Sequence, residues 1–323
     1  MAVHAEDLKP LRAGMIGLDT SHVIEFVNTL NNGTRKPEDQ AKFAGVRVVA
    51  AYPRGSKDIV SSTKRVPEYT AKVEAMGVEI VDSIEELIKR VDVVFLESND
   101  GRVHWEQLQP VLAARKPVFI DKPIAGNLAD TVRILDAAKR SKVPLFCASS
   151  LRFGKMTQAV RNGAIGKVKR AETFSPAELE PTHVDLYWYG VHGCESLFTV
   201  MGTGCKSVKR GKTTDGKIEV TGTWKGGRTG IFREANDTDR KGYGGKAVGE
   251  KGESAVGSYD GYDPLLVEII KMFRGGPVPV SAGEMLELYA FMAAADESKR
   301  RGGAEVTLKE VLDRARAEVA AKP

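Results

Sequence analysis

The sequence predicts an α/β protein: an N-terminal Rossmann-type, doubly wound parallel sheet, then a C-terminal α+β domain with a mostly antiparallel, open sheet. Three observations carry this. Through residue 149, short apolar runs alternate with helical patterns, as crossover helices between parallel strands require. After residue 150 that alternation stops, and strand-like segments bounded by Gly and Asp turns follow one another. The chain has 323 residues, more than one hydrophobic core usually serves. Two domains are therefore expected, residues 1–149 and residues 150–323.

Taken in order, LRAGMIG (residues 11–17) reads as a buried strand entering a glycine turn. Asp19, Thr20 and Ser21 offer N-cap side chains to a helix whose apolar positions are Val23, Phe26, Val27 and Leu30. Residues 31–45 read as a polar insertion, and VRVVAAY (46–52) as a second strand. A polar stretch follows, with a helix expected only near Thr70–Met76. GVEIV (77–81) is a short third strand, and Ser83 with Glu86 makes a capping box for IEELIKR. The stretch 91–125 holds two buried strands, VDVVFLES and PVFID, around a helix with Pro110 in its pattern. Asn127 caps another helix, and Val143–Ala148 is the sixth strand.

In the second half, MTQAVRNGAIG is a helix ending in glycine and Val168–Ser175 a strand. Residues 183–201 read as an aromatic-rich helix or loop-helix. SVKRGKTT, KIEVTGTWKG and RTGIFREA are strands, and the Gly-rich residues 236–263 suit a long hairpin tip or mobile loop. Helices open at Pro264 and Glu284, and a last one ends the chain.

Composition narrows the function. Hydrophobic residues make up 42% and charged residues 28%, which excludes a fibre or a disordered chain. The net charge is +5 with the two signs well mixed, and no basic block interleaved with aromatics appears, so nucleic acid is not an expected partner. No apolar run approaches about 18 residues, so no membrane span is expected. Cys147, Cys194 and Cys205 show no CxxC spacing, and His192, Cys194 and Glu195 give no sound three-ligand face, so no metal site is expected. The N-terminus shows no apolar h-region, which favours the cytoplasm. Val3-His4-Ala5 before Glu6-Asp7 is similar to the end of a processed leader and keeps export as the alternative.

GMIG with its helix, the whole of 91–125 with Asp121-Lys122-Pro123, Arg152-Phe153, GAIGKV, His192, DPLLVEIIKMFRGG, VPVSAGE and DESKRRGGAEVTL occur in that order. Together they resemble the Gfo/Idh/MocA oxidoreductases, the family of glucose–fructose oxidoreductase and inositol dehydrogenase. The resemblance covers nearly the whole chain, with Asp121 where the family usually has glutamate. It implies an NAD(P)-dependent oxidoreductase moving hydride to or from a sugar, cyclitol or related polyol. Lys122 would contact the reacting hydroxyl and the cofactor, and His192 would take the proton. The family's second-domain sheet often forms a dimer face, and a one-sided sheet needs cover, so a homodimer or homotetramer is expected.

The residues themselves support these roles. Histidine titrates near working pH and suits a general base. A lysine at a strand end can stabilise charge growing on an oxygen. The expected catalytic residues are therefore Lys122 and His192. The expected cofactor contacts are Gly17, Thr20, Ser21, His22, Arg54, Ser98, Asn99, His104 and Lys122. His104 suits either a cofactor contact or a capping role. His183 with Asp185 suits a substrate contact or a loop pair. Tyr187, Trp188 and Tyr189 suit a sugar ring or the core. Arg54 and Ser56 fit a ribose 2′-phosphate, which favours NADP over NAD, or simply a solvated basic loop.

Two departures from the family pattern open an alternative. The dinucleotide fingerprint G-x-G-x-x-G keeps Gly17 but has Asp19 and His22 at its second and third glycines. A carboxylate there opposes a pyrophosphate unless it turns away to cap the helix. Trp188 stands four residues before His192, where many members carry aspartate, and Glu195 is left as the acid that could orient the imidazole. A non-redox carbohydrate-binding or regulatory relative with a degenerate nucleotide site is thus the alternative. A further one is glycoside elimination or hydrolysis through a retained nicotinamide.

Overall fold

The structure, a computed structural model, describes residues 10–33 and 41–321. Residues 3–7 and the centre of the polar insertion lie outside them. Two compact units result. One contains the residues up to Ala125 with Asp136–Cys147 and Leu266–Pro279; the other contains Gly126–Leu135, Ala148–Leu265 and Val280–Pro323.

The first unit is built on six parallel strands: β1 (Leu11–Ile16), β2 (Val46–Tyr52), β3 (Glu79–Ile80), β4 (Val93–Leu96), β5 (Val118–Ile120) and β6 (Leu145–Cys147). Their order is 3-2-1-4-5-6, which reverses direction between β1 and β4. In such a sheet ligands gather outside the carboxyl ends at that reversal. The connecting helices are α1 (Ser21–Val27), α2 (Val60–Ala75), α3 (Ile84–Arg90), α4 (His104–Ala113) and α5 (Leu128–Ser141, whose residues through Leu135 belong to the second unit). α1 continues as a π-helical turn, Asn28–Asn32. Ser83 caps α3 by accepting the Glu86 amide at 3.2 Å, as its capping box predicts. Asn127 likewise caps α5 through the Asp130 amide at 2.8 Å.

Strands buried on both faces need apolar residues at every position, and β4 is buried throughout. Its Phe95 meets Phe26 of α1 at 5.6 Å between ring centres, Phe119 of β5 at 6.4 Å and Phe273 at 5.1 Å. This aromatic cluster fixes α1 against the strands that end at the candidate site.

The second unit carries a seven-stranded sheet in the order β12-β11-β7-β10-β9-β8-β13. Its strands are β7 (Val168–Ser175), β8 (Cys205–Lys212), β9 (Ile218–Trp224), β10 (Thr229–Glu234), β11 (Gly244–Gly249), β12 (Glu253–Ala255) and β13 (Val306–Thr307). All pairings are antiparallel except β7 with β10. Its helices are α6 (Lys155–Arg161), α7 (Asp185–Trp188), α8 (Val191–Met201), α9 (Asp263–Phe273, whose residues from Leu266 belong to the first unit), α10 (Ala282–Arg300) and α11 (Leu308–Ala321). Phe198 of α8, Trp224 of β9 and Phe291 of α10 form the core on one face. Arg233 on the other face pairs with Glu219 and Glu172 of the neighbouring strands.

Two expectations are corrected. The segment after β2 is helical from Val60 through Ala75, not only near residue 70. Only Ser62 and Val73 of this helix are buried, so it shows no apolar period. Residues 236–263, expected as a hairpin tip or mobile loop, hold an antiparallel hairpin of β11 and β12, and β11 also lies antiparallel beside β7. A Cβ at position 245 would stand 2.2 Å from the Glu172 carbonyl oxygen, so glycine is required where a strand would ordinarily show a β-branched residue.

Candidate active site

The ends of β1, β4 and β5 are level. Ile16 pairs with Leu96, and Leu96 with Ile120. The ladder continues one residue further: the Glu97 amide donates to the Ile16 carbonyl at 2.7 Å, and the Asp121 amide to the Leu96 carbonyl at 2.8 Å. Side chains two apart on a strand share a face, so Glu97 follows Phe95 and Asp121 follows Phe119. On α1, His22 lies one turn before Phe26 on the same side. The aromatic cluster therefore becomes a polar one, His22–Glu97–Asp121, at the strand ends.

His22 Nδ1 is 3.0 Å from Asp121 Oδ1 and 4.0 Å from Glu97 Oε2. Glu97 is 0% exposed, and neither of its carboxylate oxygens has a hydrogen-bond partner. Asp121 Oδ2 is in the same position. Burial, then repulsion from Asp121, pushes the Glu97 carboxyl well above its ordinary range, with the Lys122 charge opposing. Burial also acts on Asp121, but His22 and Lys122 outweigh it and hold that carboxyl low. Lys122, two residues beyond β5, is half-buried, and its peptide bond to Pro123 is cis.

The glycine turn is shaped by its neighbours. Gly17 has φ +83°, and a Cβ there would stand 2.3 Å from Ser98 Oγ. Asp19 does not cap α1; the N-cap is Thr20, which makes no capping bond. Instead Asp19 is buried, with Oδ1 accepting the Asn99 amide at 2.9 Å and Oδ2 the Ser62 hydroxyl at 2.6 Å. Burial lifts its carboxyl to about 6 against those hydrogen bonds. Further bonds tie the β2 loop and α2 to the loop after β4. Ser56 donates to Asp100, Asn99 Nδ2 to Ser61 at 3.2 Å, and Arg102 to Asp58 at 2.7 Å and Asp100 at 2.7 Å.

The sequence-chosen cofactor contacts thus divide. Ser21 and Arg54 are exposed and Lys122 half-buried, while Thr20 is buried. His22 is committed to Asp121, Ser98 donates to Gln107 at 2.8 Å, and Asn99 bridges to Ser61. His104 is wholly buried and engages the Ser98 and Ile124 carbonyls, which holds two loops together; burial lowers its pKa. A nicotinamide dinucleotide fits the accessible donors, one hydroxyl and two cations. Asp19, the group that would oppose a pyrophosphate, is turned inward and hydrogen-bonded.

In the second unit His192 is buried, with Nδ1 2.7 Å from the Ser149 hydroxyl and its ring edge-on to Tyr189 and Tyr243. The acid expected to orient it does not: Glu195 pairs with Arg152. Arg152, 1% exposed, also reaches Glu284 at 2.6 Å, and Arg161 reaches the same acid at 2.8 Å. Burial raises the Glu195 pKa, with Arg152 opposing. Sequence reasoning missed Ser149 because its only mark is its place after a strand. His183 stacks near Trp188 at 5.2 Å, while Asp185 pairs with Arg210 and Lys299 rather than with His183. The Tyr187 ring is core, its hydroxyl donating to the Tyr289 carbonyl.

Among the described residues no helix is long and apolar enough to cross a membrane. Residues 11–149 match the family described as "Oxidoreductase family, NAD-binding Rossmann fold". Myo-inositol 2-dehydrogenase from Thermotoga maritima is 37% identical over 113 residues, 32% of this chain and 34% of the relative. Inositol 2-dehydrogenase from Gluconacetobacter diazotrophicus is 41% identical over 59 residues, 18% of each chain. The matches therefore span about a third and about a fifth of these relatives' lengths. Myo-inositol dehydrogenase from Lactobacillus casei, solved in complex with NAD(H) and myo-inositol, superposes with TM-score 0.71 at 18% identity, covering 92% of this chain and 96% of its own. An oxidoreductase from Thermotoga maritima gives TM-score 0.68 at 17% identity, covering 94% and 100%. These likenesses extend the shared fold along nearly the whole chain, and residues 11–149 match the model of the Gfo/Idh/MocA oxidoreductase family.

Proposed function

We propose that this protein is an NAD(P)-linked oxidoreductase acting on a CH–OH group of a cyclitol, sugar or related polyol. The observation that carries the reading is Lys122 at the end of β5, beside the sheet reversal, in a domain of an NAD-binding family. Residues 1–149 would hold the dinucleotide and residues 150–323 the substrate and the contacts of a homodimer or homotetramer. A nicotinamide bound here would accept or supply the hydride. Lys122 stabilises negative charge on the substrate oxygen, and His192, steadied by the Ser149 hydroxyl, takes or returns the hydroxyl proton. Ser21, Arg54 and Lys122 are the accessible groups that would meet the cofactor, with Gly17 and Thr20 shaping the turn and His22, Ser98, Asn99 and His104 supporting it. Exposed Arg54 favours a 2′-phosphate and hence NADP.

The test is thermal unfolding with NADP(H) and NAD(H) at about millimolar concentration, since a ligand bound only to the native state raises Tm. A rise is expected for both, larger for NADP(H), and Arg54→Ala should remove the difference. No rise with either nucleotide would refute the reading.

A second reading has its own support. The bonds Asp19–Ser62, Asp19–Asn99, Ser56–Asp100 and Arg102–Asp58 tie the loops of the nucleotide crevice together. That favours a non-redox carbohydrate-binding or regulatory relative, which would bind polyols without nucleotide and after Lys122→Ala.

A further inference from the structure

We infer that His22, Glu97 and Asp121 form a binding site for a divalent transition-metal ion of the zinc or manganese class. The ligands would be His22 Nδ1 and one oxygen from each carboxylate. One ligand atom from each residue lies within 4.8 Å of the other two, and all three residues are buried. Metal bonds of about 2.1 Å set ligand atoms roughly 3.0–3.5 Å apart. His22 Nδ1 already stands 3.0 Å from Asp121 Oδ1 and 4.0 Å from Glu97 Oε2. An adjustment of about an ångström at Glu97 completes the set.

An independent observation points to a ligand there. Glu97 is 0% exposed, yet neither of its oxygens has a hydrogen-bond partner, and Asp121 Oδ2 has none either. Three buried acceptor atoms lie together without a hydrogen bond of good geometry, with the Thr20 hydroxyl near enough to act on Glu97, a costly arrangement. Lys122 lies close enough to influence both acids, so one positive charge is already near. A divalent ion with the two carboxylates is neutral and fills the orphaned lone pairs.

The imidazole selects the class. Magnesium and calcium prefer oxygen alone, whereas zinc and manganese accept one imidazole with two carboxylates. Three protein ligands leave at least one coordination position for water or a substrate hydroxyl, as in open metal sites. The inference revises the metal-free expectation from the sequence, whose motifs hold no hint of three ligands 99 residues apart. It does not depend on nucleotide binding.

The experiment uses the full chain, stripped with a chelator and titrated with Zn²⁺, Mn²⁺ and Mg²⁺ by calorimetry. About one equivalent of Zn²⁺ or Mn²⁺ is expected at micromolar Kd or tighter, with Mg²⁺ at least tenfold weaker and Tm rising with metal. Glu97→Gln and His22→Gln should each weaken binding at least tenfold while keeping the circular dichroism of the fold. Because a variant can misfold, Co²⁺ is added to the unmutated protein, and visible ligand-field bands with an imidazole–carboxylate spectrum are expected. No stoichiometric uptake, no such bands, or unchanged binding in both folded variants would overturn the site.

Discussion

Glu195 and Glu284 in the second unit, and Glu97 and Asp121 in the first, are both pairs of buried carboxylates, but their surroundings differ. Glu195 and Glu284 are met by the guanidinium groups of Arg152 and Arg161, in a planar geometry that matches a carboxylate. Arg152 stays charged in spite of burial because both acids hold it so. Glu97 and Asp121 are met by one imidazole, with Lys122 near, and three of their oxygens accept no hydrogen bond. The first centre has nearly exhausted its bonding capacity, with Arg152 Nη2 the one nitrogen left over. The second has capacity to spare. A spent network is a strut; an unspent one at the ligand end of a parallel sheet is a site.

The largest effect should come from breaking the strut. Arg152→Met leaves Glu195 buried without its cation while Glu284 keeps Arg161, and removing one partner of a buried pair costs about 3–5 kcal/mol. Chemical denaturation should show that loss as a lower midpoint with an unchanged slope. Adding Glu195→Gln to the same chain should restore part of it. A loss near 1 kcal/mol or below would mean that solvent reaches these acids, and the contrast with Glu97 would fail.

That contrast also explains what the sequence discloses. Asp121-Lys122 is legible because it is local: an apolar run ends and a charged pair follows. The six parallel strands are legible for the same reason, since each announces itself within a few residues. The partnership of Glu97 with His22 is not local, and it is encoded in offsets on three separate elements. His22 precedes Phe26 by four residues on a helix, and Glu97 and Asp121 follow Phe95 and Phe119 by two on strands. Only when the phenylalanines meet do the polar residues meet. The Arg152 network is hidden likewise, because Glu284 lies 132 residues away. Asp19 is read from sequence as an obstacle to phosphate, and packing against Asn99 and Ser62 makes it a brace. The β11 strand escapes because its two leading glycines serve close approach and carry no alternation of their own.

A smaller effect separates the two centres by pH. Burial raises the Glu97 pKa above its ordinary 4.5, so the folded metal-free protein holds a proton that the unfolded chain releases. That contribution is fully present below about pH 4.5 and is lost as pH climbs toward the raised value. Glu97→Gln removes the dependence. Unfolding measured from about pH 5 to pH 8 without metal should therefore show the variant gaining on the parent as pH rises. For Glu284 the shift is downward, because Arg161 and Arg152 outweigh burial, and the sign reverses: stability is lost as pH falls through its lowered value. A parent protein whose stability rises from pH 5 to pH 8 as steeply as that of Glu97→Gln would remove the distinction.

The smallest effect concerns His192, which belongs to neither centre but borders the strut. Its Nδ1 is held by the Ser149 hydroxyl, while the Ser149 amide assists the carboxylate of Glu195. Ser149 is thus the joint between the saturated network and the candidate base. Ser149→Ala removes one hydrogen bond, a net loss of about 0.5–1.5 kcal/mol, equivalent to roughly two- to tenfold in rate if spent on orienting the imidazole. With a polyol substrate and nicotinamide cofactor, kcat should fall by about that factor with KM little changed, and the acidic limb of the kcat–pH profile should move. Ser149→Thr, which keeps the hydroxyl, should recover most of it. A kcat and pH profile that match the parent in Ser149→Ala would leave the hydroxyl with a packing role and detach the strut from the chemistry.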